Sequence, residues 1–454
     1  MNSQRCILVT LLIVGALAAI ITGCGPETPG AEPAGSMPAS GGAALQSPIN
    51  TPTPTPQPIQ PGPTPTRVPL CAPSALAIDQ QPPEQDAALE TLVFGDPQVI
   101  LTDTAPIDIA GWMPDGRNLL LVRQLPGQQA QAIETFDIGS GRSVRYAEAI
   151  LWADQVFPLA QGRGVGFMDQ SRVVEGQAAD GIDLKVSRGP GQVEPVLRGM
   201  PLRSMAVDPA SASLVRYGQA PGGPAALSPQ AHQDFLVLTL PVDPYQWKYP
   251  KYFADRVETG YAGDVFQVAV QPGGSLVALY ADPYLFLYDM AAQSACEVEL
   301  GVAENGQSRF TWHARWSADG RYLAMLTSAR FPGELLPFAD LTILEPSNGR
   351  IRTVNPSAYR WLTDFSWAPT SRSLALIGDQ DLIEQRSHQQ IFVADALTGK
   401  SDLPRPDQFF LGGAFGQQLG WSPDNQNMSV KCTQREPDVF GVGDFGLCLI
   451  PVTR

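Results

Sequence analysis

Beyond about Leu70 the chain alternates short apolar runs with clusters of Gly, Pro, Asp and Asn, and no helical period stands out. One frame recurs along it. Gly111-Trp-Met-Pro-Asp-Gly-Arg-Asn-Leu-Leu-Leu-Val122 aligns with Arg315-Trp-Ser-Ala-Asp-Gly-Arg-Tyr-Leu-Ala-Met-Leu326, with Ser366-Trp-Ala-Pro-Thr-Ser-Arg-Ser-Leu-Ala-Leu-Ile377 and with Gly420-Trp-Ser-Pro-Asp-Asn-Gln-Asn-Met-Ser-Val-Lys431. Weaker copies begin at Ala206 and Ala269. Each copy reads as an apolar strand end, a tight turn and a second apolar strand, which together make a hairpin. Phe136 to Arg142, Leu344 to Arg350 and Val393 to Lys400 each end one strand at an acidic or turn residue and start another after Gly. Four antiparallel strands per repeat predict an all-β chain folded as a β-propeller of four-stranded blades.

The turn recurs at Pro114, Pro209, Pro272, Ala318, Pro369 and Pro423. The first interval is nearly double the last three, so a degenerate blade is expected between about Ala149 and Met200, giving seven blades. Six is the alternative if that stretch is an irregular insertion. The last repeat leaves only Asn427 to Thr433 and Gly446 to Val452 as strands after its turn, one short at the outer edge. Leu92-Val-Phe94 and Val99-Ile-Leu101 precede the first repeat and could complete it, removing an exposed edge. A loose N-terminal extension is the other reading. These repeats resemble the TolB-type and WD-like propellers of bacteria, whose blades carry a Trp-Ser-Pro-Asp-Gly-Arg-x-Leu-Ala signature. Trp316 to Ala324 and Trp112 to Leu120 match best, and the copies at Val207 and Val270 lack the Trp and Arg. The resemblance implies an extracytoplasmic interaction platform, often in a membrane-associated complex. The partner-binding helical domain of TolB has no counterpart in this sequence.

The first residues follow a different pattern. A single Arg5 precedes the apolar run Ile7 to Ile21, which is followed by Thr22-Gly23-Cys24. These are the parts of a secretory signal, and the run is short for a bilayer-spanning helix. The ending resembles the bacterial lipobox, with Gly23 before the Cys and Ile21 where Leu is usual. That implies cleavage after residue 23, acylation of Cys24 and anchoring to the cell membrane or outer membrane by lipid. From Cys24 to Leu70 the chain is rich in Pro, Thr and Gly, with Thr51-Pro-Thr-Pro-Thr-Pro56 and Pro61-Gly-Pro-Thr-Pro-Thr66 at its centre, and it reads as a disordered, extended spacer. The expected organisation is a signal peptide over residues 1–23, a tether over 24–70, a segment closing the last blade over 71–106 and the propeller over 107–454.

Charge narrows the function classes. Lys and Arg number 30 against 45 Asp and Glu, a net −15, which opposes binding to nucleic acid. Of six Cys, Cys6 lies in the signal and Cys24 is the lipid site, leaving Cys71, Cys296, Cys432 and Cys448. An even remainder in an exported chain favours disulfides. Cys432 with Cys448 needs the least rearrangement, since they lie on successive strands, and Cys71 with Cys296 is then left over. Other connectivities stay open. No Cys-x-x-Cys spacing and no paired histidines among His232, His313 and His388 indicate a metal site, so neither metal nor cofactor is expected. No Gly-x-Ser-x-Gly nucleophile is present, and Gly162-Arg-Gly-Val-Gly166 reads as a blade turn, not a phosphate loop.

The segment Pro241 to Phe266 concentrates Tyr245, Trp247, Tyr249, Tyr252 and Phe253 beside Lys248 and Lys251. Aromatic residues next to cations suit a binding surface. An inter-blade loop folded on the propeller flank is the plainer reading. The functional expectation is a lipid-anchored propeller that is not an enzyme and binds a partner protein or surface glycan through loops on one face. The alternative is a propeller enzyme acting on cell-surface glycan or peptide.

Overall fold

A computed structural model describes residues 70–71, 92–151, 153–159, 162, 164–171, 181–200, 205–217, 234, 236–241, 267–281, 284–300, 310–329, 338–354, 361–370, 372–379, 389–398, 401–402, 410–411, 419–433 and 445–453. They form seven sheets. Blade 1 consists of Ile107–Trp112, Asn118–Gln124, Gln131–Asp137 and Arg142–Ala149. The degenerate region is a full blade, with Val156–Pro158, Val165–Asp169, Ile182–Ser187 and Val193–Met200 paired in order as blade 2. Blade 4 runs from Gln267 to Glu297, blade 5 from Phe310 to Val354 and blade 6 from Trp361 to Asp402, each with four strands. The architecture is therefore a seven-bladed propeller.

Two blades depart from the simple meander. In blade 3, Met205–Asp208 and Ser213–Tyr217 pair antiparallel, but Leu236–Leu240 lies parallel to Ser213–Tyr217. A parallel neighbour needs a long crossover, and the Gly- and Pro-rich stretch 218–235 supplies the length. Arg188, in the outer hairpin of blade 2, holds Asp234 by two bonds of 2.8 and 2.5 Å just before that strand starts. In blade 7, Phe410–Leu411 and Leu419–Trp421 share the inner position against Asn427–Thr433, and Phe445–Thr453 follows. The outer position of blade 7 is filled from the other end of the chain. Val93–Phe94 and Gln98–Asp103 pair antiparallel with Phe445–Thr453, with Phe94 opposite Val452 and Gln98 opposite Leu449.

Successive side chains on a strand point to opposite sheet faces, and every blade is covered on both. Leu120 and Val122 pack with blade 2 residues Val156, Val165 and Phe167, while Leu119 and Leu121 pack with Leu447 and Leu449 of blade 7. This two-sided burial is why the strands read as continuous apolar runs. The core is accordingly divided into seven clusters, one per seam between successive blades, the last closing blade 7 onto blade 1.

Strand direction sorts the connections between two faces of the ring. First-to-second and third-to-fourth strand connections fall on one face, and none exceeds six residues. We call this the turn face. Second-to-third and blade-to-blade connections join strand ends on the opposite face, among them 241–266, 380–388 and 434–444, except 218–235, which joins Tyr217 on that face to Leu236 on the turn face. Leu240 and Gln267 both lie at this loop face, because the parallel strand Leu236–Leu240 ends beside Tyr217.

Candidate functional site

The repeat signature is used by the fold. Trp112 Nε1 donates to Gly420 O (3.2 Å), Trp316 Nε1 to Ala269 O (2.9 Å) and Trp367 Nε1 to Arg315 O (3.0 Å). In each case the acceptor lies on the inner strand of the preceding blade, so the Trp clamps one blade to the last. The Asp of the turn caps backbone donors: Asp115 accepts from the amides of Arg117 and Asn118, and Asp319 and Asp424 accept from those of Arg321 and Gln426. Burial pushes the Asp115 carboxyl up, but the Asn118 side chain and these amides more than offset it and hold its pKa below the usual carboxylate value. Gly320 adopts φ +70°, and a Cβ there would stand 2.5 Å from Pro272 O. The signature Arg reaches the acidic end of the third strand, as Arg117 with Asp137 (2.7 Å), Arg321 with Glu345 (3.0 Å) and Arg372 with Asp395 (2.9 Å). Gly162 and Gly164 belong to the first turn of blade 2, where Leu159 N donates to Gly164 O and Gly162 N to Leu159 O.

Chemistry-bearing side chains outside the signature meet at the seam of blades 5 and 6. His313 and Arg315 project from the inner strand Phe310–Trp316 towards Asp364 on the inner strand Trp361–Trp367. Asp364 is 2% exposed; its Oδ2 accepts from Leu419 N of blade 7 at 2.9 Å and its Oδ1 from Phe365 N at 2.8 Å. Arg315 lies 3.5 Å from the same carboxylate, stacks 5.3 Å from the Phe365 ring centroid and donates to Phe365 O. His313 Nε2 sits 3.4 Å from Asp364 Oδ1, sealed from solvent and without a well-aligned bond, while about a quarter of the side chain stays exposed. Burial, reinforced by Arg315, lowers the His313 pKa against the opposing pull of Asp364. The imidazole is therefore neutral at pH 7, and the carboxylate behind it is committed to joining blades 6 and 7. The cluster is built as an inter-blade tie.

A second feature is a depression of about 260 Å³ on the outer strands of blade 2, lined by Asp183, Lys185, Val193, Pro195 and Arg198. Lys185 is already bound to Asp169 at 2.5 Å and Asp183 accepts from Gly199 N at 2.9 Å. No group of three metal-ligating side chains occurs among the described residues.

Both cysteine pairs are bonded. Cys432 and Cys448 link neighbouring strands of blade 7 at a Cα separation of 5.8 Å, and Cys71 is bonded to Cys296 on the outer strand of blade 4 with a Cα separation of 4.6 Å. Cys71 N also donates to Glu297 O at 2.8 Å. Cys24, Tyr245, Trp247, Tyr249, Tyr252 and Phe253 lie outside the described residues, as do His232 and His388. The inter-blade tie at His313, Arg315 and Asp364 had no signal in the sequence. His313 and Arg315 lie on blade 5 and Asp364 on blade 6, and they become neighbours only when successive blades pack.

No protein-family model matches the chain, and no curated protein matches it significantly. Solved structures similar to it are propeller proteins. TolB from Acinetobacter baumannii is 10% identical with a TM-score of 0.37, over 74% of this chain and 63% of that one, so the chain spans under two thirds of its length. A putative TolB from Agrobacterium tumefaciens is 11% identical with a TM-score of 0.40, over 79% of this chain and 94% of that one. An oligogalacturonate lyase from Vibrio parahaemolyticus is 9% identical with a TM-score of 0.45, over 80% of this chain and 98% of that one.

Proposed function

We propose that this chain is an exported lipoprotein, held at a membrane through Cys24 and the spacer 24–70, whose propeller binds a partner protein or surface glycan at its loop face without turning it over. The observation that carries this reading is the inequality of the two faces. Apart from the arrival of the crossover 218–235, the turn face carries only short turns, and their Asp, Gly and Arg residues are committed to capping and ion pairs within the ring. The loop face collects the long connections, which are where a rigid scaffold presents recognition residues. Residues 241–266, with Tyr245, Trp247, Tyr249, Tyr252 and Phe253, join strands that both end at that face. Two disulfides support an oxidising compartment, and the net charge of −15 argues against nucleic acid.

Two experiments test it. Labelling with a palmitate analogue should tag the wild type and fail on Cys24→Ala; equal labelling of both removes the anchor from the account. Pull-down from membranes should lose its ligand when Trp247→Ala and Tyr249→Ala are combined, and an unchanged set of bound molecules contradicts the assigned surface. Hydrolysis of glycan or peptide by the purified chain would replace the binding reading with the enzymatic one.

A further inference from the structure

The two disulfides differ in surroundings and in what they enclose. Cys432 and Cys448 are 0% and 2% exposed, inside the seam of blades 6 and 7. Cys71 and Cys296 are half-buried at the rim of blade 4, against the cluster shared with blade 5. Beside the Cys71–Cys296 bond, Leu70 is bridged to Glu297, Cys71 N donates to Glu297 O, and Cys71 packs against the cluster shared with blade 5.

The same stretch of chain closes the ring. After Cys71 the chain supplies Val93–Phe94 and Gln98–Asp103 as the outer strand of blade 7, and it is fixed again at Ile107, the first residue of blade 1. With the disulfide formed, a closing strand that lifts off remains within a loop pinned at residues 71 and 107. With it broken, no covalent link holds the N-terminal side, and once the non-covalent contacts of residues 70–71 part the strand belongs to a tail pinned at residue 107 alone. A pinned loop has far fewer conformations than a tail, so the bond disfavours lift-off without touching the strand. We propose that Cys71–Cys296 is a redox latch on ring closure: oxidised, it keeps the closing strand on blade 7, and reduced, it lets that strand leave and bares the edge of Phe445–Thr453.

The chemistry requires a dithiol. Its thiolate attacks one sulfur of the protein bond and forms a mixed disulfide, which its second thiolate then displaces. Cys71 and Cys296 take up the two protons and become thiols while the dithiol leaves as a disulfide. Attack needs access to sulfur, so the rim bond reacts before the buried one. The proposal does not depend on the lipid anchor or on a ligand.

Hydrogen exchange read by mass spectrometry on the chain from Cys24 onward tests it, comparing the oxidised protein with the variant carrying Cys71→Ser and Cys296→Ser. Residues 98–103 and 445–449 should exchange roughly a hundredfold faster in the variant, with blades 2 and 5 unchanged. Should the variant fail to fold, a mild dithiol on the folded wild type followed by alkylation gives the same reading. Cys71 and Cys296 should be alkylated first, and exchange at 98–103 should rise while Cys432 and Cys448 stay bonded. Unchanged exchange at 98–103, an equal rise in all blades, or earlier reduction of Cys432–Cys448 would each overturn the latch.

Discussion

Trp421 occupies the same signature position as Trp112, Trp316 and Trp367, yet its buried Nε1 has no hydrogen-bond partner among the described residues. A lost bond that strands a buried acceptor costs about 1–3 kcal/mol, whereas removing a donor that is already unpaired does not. Trp316→Phe should therefore lower the stability by about 1–3 kcal/mol more than the loss of ring volume alone, and Trp421→Phe should not show that increment. Urea unfolding of the two variants measures the difference, and equal losses would remove the clamp from the account. His313 adds a pH test. Its folded pKa lies below 6.5, so its contribution is complete above that pH and declines as acid protonates the unfolded chain first. Between pH 7.5 and 5, His313→Gln should lose less stability than the wild type, as read from unfolding midpoints, and parallel losses would contradict this. The signature's Trp, Asp, Gly and Arg were legible because each acts within its own hairpin or on the adjacent blade. Asp364 was not, because its partners lie on two other blades.

At the scale of elements, strong periodic hairpins located the blades, and the doubled interval before Pro209 located the one that lacks a signature. What could not be read was the direction of Leu236–Leu240, since an apolar five-residue run fits either sense and only the crossover decides it. Arg188 holds Asp234, which is 8% exposed, beside the start of that strand. Asp234→Asn keeps the shape but removes the charge that the bidentate pair depends on. The expected result is faster hydrogen exchange across residues 236–240 with little change in blade 5; unchanged exchange would mean that strand packing alone sets the parallel pairing. The outer strand of blade 7 is a related case. It pairs through main-chain bonds and is tied to blade 1 by Asp103, which meets Arg123, which in turn meets Glu134 at 3.2 Å.

For the whole molecule, composition took on a layout. Of 43 Pro, 13 lie in the spacer 24–70, while Pro114, Pro209, Pro272, Pro369 and Pro423 sit in the recurring hairpin turns, whose residues are occupied in holding the ring together. A motif that is spent on architecture identifies the architecture and leaves the ligand unspecified. The faces are unequal for the same reason: short turns must repeat to pack, while the connections opposite are free to vary in length and composition. Recognition at the loop face is the central claim, and photo-cross-linking from both faces in the native membrane tests it most directly. A photoreactive residue would replace Trp247 or Glu384 on loop-face connections, and Asp115 or Pro423 on turn-face ones. The account predicts adducts from positions 247 and 384 and none from 115 and 423. Adducts confined to the turn face, or none from either, would contradict it.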